Sequence, residues 1–210
     1  MTLTLHCFGE SGNAWKCALA LEMAGMEWTP RRVAFFEGET RTPEYRAINP
    51  MGEVPALETP DGTLSQSGVI LDWIAERSER LAPKDADERR AILRWVLFDN
   101  HKVSGIAGPL RFNTNFLPEA KRSADVNDFL AMRLTSALKV MEAHLAANDW
   151  LALGRPTAAD LSCAGYLYYP EPYGFARADF PAIDAWMDRL AAEPGFALPY
   201  DLMPRALPAA

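Results

Sequence analysis

A chain of 210 residues, 49% of them hydrophobic, can bury one large core or two small ones. Its 28 acidic and 21 basic residues leave a net charge of −7 with no block of like charge. That argues against a nucleic-acid partner, whose binding rests on clustered lysine and arginine. No stretch approaches the ~20 apolar residues of a membrane span, and the N-terminus lacks the basic region and apolar run of a signal peptide. Cys7, Cys17 and Cys163 cannot all pair and show no metal-ligand spacing. A cytoplasmic, reduced protein without a metal site or membrane association is the expectation.

The chain opens with Leu3, Leu5 and Cys7 alternating with Thr4, His6 and Phe8, the period of a strand. Residues 9–13 form a loop. Ala14, Cys17, Ala18 and Leu21 then share a helical face that Gly25 is placed to end. Residues 27–33 read as a second strand, and a short helix is expected over residues 42–48. Asn49-Pro50 breaks the chain, because the proline ring disfavours the helical region for the residue before it. Residues 54–58 and 63–65 read as a hairpin around the turn Pro60-Asp61-Gly62. Ser67 is expected to cap a helix carrying Ile70, Trp73 and Ile74. The order is βαβα, then ββα.

Residues 79–87 turn polar around Pro83 and read as a linker, dividing residues 1–78 from residues 88–210. Everything after the linker is helical in character. Residues 89–115 form a long helical segment with an expected break near Gly108-Pro109, where proline removes a ladder donor. Residues 124–147 place Phe129, Met132, Leu134, Leu138, Met141 and Leu145 at helix-compatible intervals. Thr157 and Asp160 have the spacing of a capping box, a structural device whose loss costs about 0.5–2 kcal/mol.

The stretch from Asn49 to Ser67 resembles the glutathione-binding half of the glutathione transferase family. The Gly-x-x-Thr-x-Ala-Asp run, Gly154 to Asp160, resembles that family's second-domain capping box. The resemblance implies a thioredoxin-like α/β domain followed by an all-α helical domain that lines the acceptor-substrate site. It implies that Val54 and Pro55, the latter in a cis peptide, pair with the cysteinyl backbone of glutathione, and that Gln66 and Ser67 hold its γ-glutamyl carboxylate. Glutathione is then the co-substrate, a small hydrophobic electrophile or peroxide the acceptor, and a homodimer the expected assembly. Glu53 stands where the family often has lysine or glutamine near the glycyl end of glutathione. A carboxylate there opposes the ligand's own by at most ~1 kcal/mol if the site mouth is open to water.

Ser11-Gly12-Asn13-Ala14-Trp15-Lys16 resembles the Cys-x-x-Cys-x-Lys run of glutaredoxins with both cysteines replaced, so dithiol chemistry is excluded there by residue type. A serine at the first position matches the serine-type transferases, in which the hydroxyl donates to the glutathione thiolate and Asn13 assists. A free thiol of pKa ~8.5 is only a few per cent ionised at neutral pH. Lowering that pKa by about two units requires roughly 2.7 kcal/mol. One hydrogen bond to a charged group supplies about 1.5–3 kcal/mol and a helix N-terminus up to ~1. Hydroxyl and dipole together suffice. Arg111, Phe112, Asn115 and Phe116 are the candidates for the acceptor pocket, with Tyr168, Tyr169, Tyr173 and Phe175 further on. Two alternatives stay open: a non-catalytic transferase-like binding or scaffold protein, and a thiol oxidoreductase using Cys7 or Cys17.

Overall fold

In the computed structural model, which describes residues 2–207, the chain forms two compact units: Met1–Ala82 with Glu193–Ala210, and Pro83–Ala192. The first unit thus takes in the C-terminal segment as well as the N-terminal one.

The first unit is built on strand β1 (Leu3–Cys7), helix α1 (Gly12–Met23), strand β2 (Trp28–Arg32), helix α2 (Pro43–Ile48), strands β3 (Ala56–Thr59) and β4 (Gly62–Ser65), and helix α3 (Ser67–Glu76). The four strands lie in the order β2-β1-β3-β4, with β1–β2 parallel and the rest antiparallel, pairing Leu5 with Pro30 and with Leu57. Pro30 cannot donate to a ladder, and β2 is accordingly an edge strand. Successive side chains of β1 point to opposite faces. Leu5 and Cys7 are fully buried on one; His6, on the other, meets the Tyr45 ring of α2 edge-on at 6.0 Å. Helices α1 and α3 pack together, and the Cys17 thiol donates to the Ser67 carbonyl at 3.7 Å. Ile70, Leu71 and Ile74 are the buried stripe of α3, each contributing about 1.5–3 kcal/mol by leaving water.

The second unit contains α4 (Ala86–Phe98), α5 (Ser104–Asn115), α6 (Ala124–Leu145), α7 (Ala158–Ala164) and α8 (Pro181–Ala191). The long segment breaks at a wide turn over Asp99–Val103, not at Gly108-Pro109, and Pro109 lies within α5 on an exposed position. The cause is Asp99, a fully buried carboxylate that accepts from the Ser104 amide at 3.2 Å and from the Ser104 and Ser162 hydroxyls at 2.8 and 2.6 Å. A buried carboxylate must be partnered, and this one draws the backbone out of the α register to be so. On α6, Leu134, Leu138, Met141 and Leu145 are buried while Phe129 and Met132 are exposed. Truncating Leu138 costs about 2–5 kcal/mol. The capping box forms: Thr157 N–H donates to Asp160 at 2.9 Å, and Ala159 N–H to the Thr157 hydroxyl at 3.2 Å. Asp160 also accepts from Leu151 N–H and the Trp186 indole, and burial pushes its carboxyl upward against those bonds. A short helix, α9 (Pro199–Leu202), follows in the part of the chain that returns to the first unit.

Candidate active site

Ser11 is the N-cap of α1. Its backbone is extended, and Ala14 N–H donates to its Oγ at 3.2 Å. A hydroxyl has two acceptor lone pairs and one proton, so capping uses the oxygen and leaves the O–H to donate elsewhere. The first turn of α1 carries no acidic side chain, and its amides and macrodipole favour an anion there. Asn13 follows two residues on, half-buried, with its Oδ1 accepting from Lys16 Nζ at 2.8 Å.

The loop that carries Ser11 is held by the C-terminal segment. Gly9 N–H donates to the Pro204 carbonyl at 2.8 Å, and the buried Glu10 carboxylate accepts from the amides of Ala206 and Leu207 at 2.9 and 3.2 Å. Trp15, fully buried, donates its indole N–H to the Ala197 carbonyl at 3.0 Å. Only glycine fits at position 9, because a Cβ would meet Tyr200 Cδ1 at 2.9 Å and the Arg205 Cα at 3.3 Å.

Val54-Pro55 is a cis peptide and stands ahead of β3 rather than in it. The approach to it is fixed by two side chains that sequence reading passed over. Asn49, almost fully buried, donates to the Glu53 carbonyl at 2.7 Å and accepts from Met51 N–H at 3.1 Å; Tyr45 donates its hydroxyl to the same carbonyl at 2.9 Å. The Asn-Pro pair was legible as a chain break, and asparagine's habit of bonding its own following backbone was the available signal for the rest. Among the described residues the Val54 main-chain N–H and C=O take no hydrogen-bond partner.

Gln66, not Ser67, occupies the N-cap position of α3, and no side chain caps that helix. Gln66 sits at φ 68°, ψ 119°, outside the basins that non-glycine residues favour, at a cost of about 1–3 kcal/mol. That backbone turn places Ser67 as the first helical residue, with its hydroxyl unpartnered among the described residues. The Gln66 amide lies 3.3 Å from the Glu53 carboxylate. Glu53, Gln66 and Ser67 are therefore brought to one end of α3.

The three cysteines are free and buried. Burial pushes the Cys7 thiol up to about 12 and the Cys17 thiol higher still. Since the thiolate is the nucleophile, this burial works against a nucleophilic role for either. His6, buried, meets the Glu58 carboxylate at 2.7 Å.

In the second unit, Arg111 is 1% exposed, ion-paired to Glu171 at 2.7 Å and laid over the Tyr169 ring at 3.8 Å. Asn115 donates to the carbonyls of Arg111 and Pro172 at 3.2 and 3.1 Å. Phe112 and Phe116 are half-buried, their ring centroids 6.3 Å apart. A cleft of about 290 Å³ is lined by Leu110, Thr114, Asn127, Asp128, Ala131 and Tyr173, among others. None of Arg111, Phe112, Asn115 and Phe116 lines it.

A thioredoxin-like unit that presents a hydroxyl at its first helix start, followed by an all-helical unit, is the two-domain architecture of glutathione transferases. The family model described as Glutathione S-transferase, N-terminal domain, matches residues 1–76, and that described as Glutathione S-transferase, C-terminal domain, matches residues 111–194. The chain belongs to the glutathione S-transferase family. It is similar to a crystal structure of a possible glutathione S-transferase from Rhodopseudomonas palustris, with a TM-score of 0.87, 33% identity, and 99% and 94% of the two chains covered. A glutathione transferase from Burkholderia graminis, solved with two glutathione molecules per subunit, gives a TM-score of 0.81 at 26% identity over 92% of this chain and 85% of that one. Elongation factor 1-gamma 1 of Oryza sativa subsp. japonica is 29% identical over 206 residues, 93% of this chain. The chain spans about half, 48%, of that longer protein. Among the described residues, no helix is long and apolar enough to cross a membrane, and no group of three His, Cys, Asp or Glu side chains could hold a metal.

Proposed function

We propose that this protein binds glutathione through Val54, Pro55, Gln66 and Ser67, and that Ser11 with Asn13 stabilises the thiolate for attack on a small hydrophobic electrophile or peroxide. The observation that carries the reading is the Ser11 hydroxyl, which caps α1 through its oxygen and retains a proton to donate at the helix N-terminus. The glutathione S–H gives its proton to solvent, and the sulfur pair attacks the electrophilic centre while the leaving group departs with the bonding electrons. The glutathione-bound relative from Burkholderia graminis supports the choice of thiol peptide. Phe112 and Phe116 are proposed to face the acceptor. Arg111 and Asn115, engaged with Glu171 and Pro172, are proposed to shape that site from behind. The test is calorimetry with glutathione followed by turnover of a chlorinated aromatic acceptor; no heat of binding sinks the reading.

A second reading, a non-catalytic binding or scaffold role, is favoured by one observation: nearly the whole chain matches a portion of elongation factor 1-gamma. Glutathione binding without turnover of any acceptor separates it from the first. We also propose a cytoplasmic homodimer. The exposed Leu97, Phe129, Met132 and Val140 of α4 and α6 give the helical unit apolar surface beyond its own core. Light scattering coupled to size exclusion decides it, and a single 23.3 kDa species refutes the dimer.

A further inference from the structure

Beside Ser11, the start of α1 holds a polar pair of unusual placement. Lys16 is fully buried, and its Nζ donates to Asn13 Oδ1 at 2.8 Å. An ammonium has donors and no acceptor, so it settles which end of the Asn13 carboxamide it meets. The oxygen faces the lysine and the NH2 group lies at the opposite edge of the amide plane. Among the described residues Asn13 Nδ2 has no hydrogen-bond partner, and Asn13 is partly open to solvent. A cation against the carbonyl also polarises the amide, which strengthens its N–H groups as donors. Two free N–H donors thus stand two residues from the Ser11 hydroxyl, in a first helical turn that carries no acidic side chain.

We propose that Lys16 is a positioning residue for the glutathione thiolate: it locks the Asn13 carboxamide with its N–H groups toward the sulfur, beside the Ser11 hydroxyl. The inference rests on the glutathione reading given above. Lys16 makes no contact with the ligand in this scheme. It acts through Asn13, against the alternative that its charge acts directly through space.

The test titrates the thiolate absorbance of bound glutathione in the unmodified protein, Lys16→Met, Lys16→Gln, Asn13→Ala and the double variant Lys16→Met with Asn13→Ala. Lys16→Met is expected to raise the pKa of the bound thiol by about one unit, which lowers the thiolate fraction near neutral pH about threefold from a starting pKa near ~6.5. Lys16→Gln, whose amide still donates to Oδ1, is expected to restore most of it. In the Asn13→Ala background, Lys16→Met is expected to change nothing further, because the lysine's route is gone. An equal drop with and without Asn13 overturns the proposal in favour of a through-space charge, and an unchanged fraction in Lys16→Met overturns it outright. Calorimetry on the unmodified protein comes first: absence of binding removes the glutathione reading and this one with it, an outcome distinct from binding with an unchanged thiolate. Should Lys16→Met fail to fold by circular dichroism, a crystal structure of the unmodified protein with glutathione decides. Asn13 Nδ2 within hydrogen-bond reach of the sulfur supports the proposal, and any other partner for it overturns it.

Discussion

Two helix starts of the first unit, those of α1 and α3, carry a serine, and they use it in opposite ways. At α1, Ser11 spends its oxygen on the Ala14 amide and keeps only its proton. At α3, the unfavourable backbone of Gln66 takes the N-cap position, and Ser67 is left with its whole hydroxyl unpartnered among the described residues. On the proposed reading, Ser11 supports the fold and faces a ligand at once, whereas Ser67, which caps nothing, serves a ligand alone. The comparison separates a site that should lose both stability and chemistry on mutation from one that should lose binding and little else.

The largest effect is expected at α3. Ser67→Ala should weaken glutathione by roughly 1.5–3 kcal/mol, the range for a hydrogen bond to a charged group, while the melting temperature barely moves. Calorimetry and thermal unfolding on the same samples check both halves. Equal affinity in the variant would mean that the carboxylate is held elsewhere.

Ser11→Ala breaks the comparison from the other side. It should cost about 0.5–2 kcal/mol of stability through the lost cap and raise the pKa of the bound thiol, with affinity near that of the unmodified protein. Thiolate absorbance and denaturant titration read the two effects. Identical thiol curves with a lower midpoint would leave Ser11 as a cap and nothing more.

The smallest effect sharpens the α3 side. Glu53, 3.3 Å from the Gln66 amide, places a carboxylate at the end of the helix proposed to receive one. Its side chain is exposed, so its replacement by lysine is expected to tighten glutathione by at most ~1 kcal/mol. The gain should fade as salt rises, because exposed charges are screened. Weaker binding in Glu53→Lys would show that the Glu53–Gln66 contact itself orders the site.

Much of the first unit was legible because its signals are local. Alternation in residues 3–8, the Pro60-Asp61-Gly62 turn and the apolar spacing of residues 70–74 each act within one element, and the four strands and three helices follow them. The misreadings occurred where a distant partner decides. Pro109 looked like the breaker of the long segment, yet Ser162, 63 residues from Asp99, helps fix the break earlier by partnering that buried carboxylate. Ser67 looked like a cap because capping propensity is a local preference, and the backbone of Gln66 overrides it. The partners of Arg111, Glu171 and Tyr169, lie 60 and 58 residues away in sequence and were likewise not legible there.

By itself, the sequence determined the family, the element order and the residue types at the site: a serine where a dithiol would need cysteine, a Val-Pro step, a Gln-Ser pair and a capping box. These depend on side-chain identity at short spacing, which a linear chain displays in full. Tertiary structure alone decided which groups of those residues are free to act. A hydroxyl's proton, an amide's outward edge and a thiol's burial depend on hydrogen-bond partners and solvent exposure, and both are set by packing. That is why Ser11 retains a donor, burial holds the Cys7 and Cys17 thiols protonated, and Lys16, legible only as the last residue of a motif, donates to Asn13.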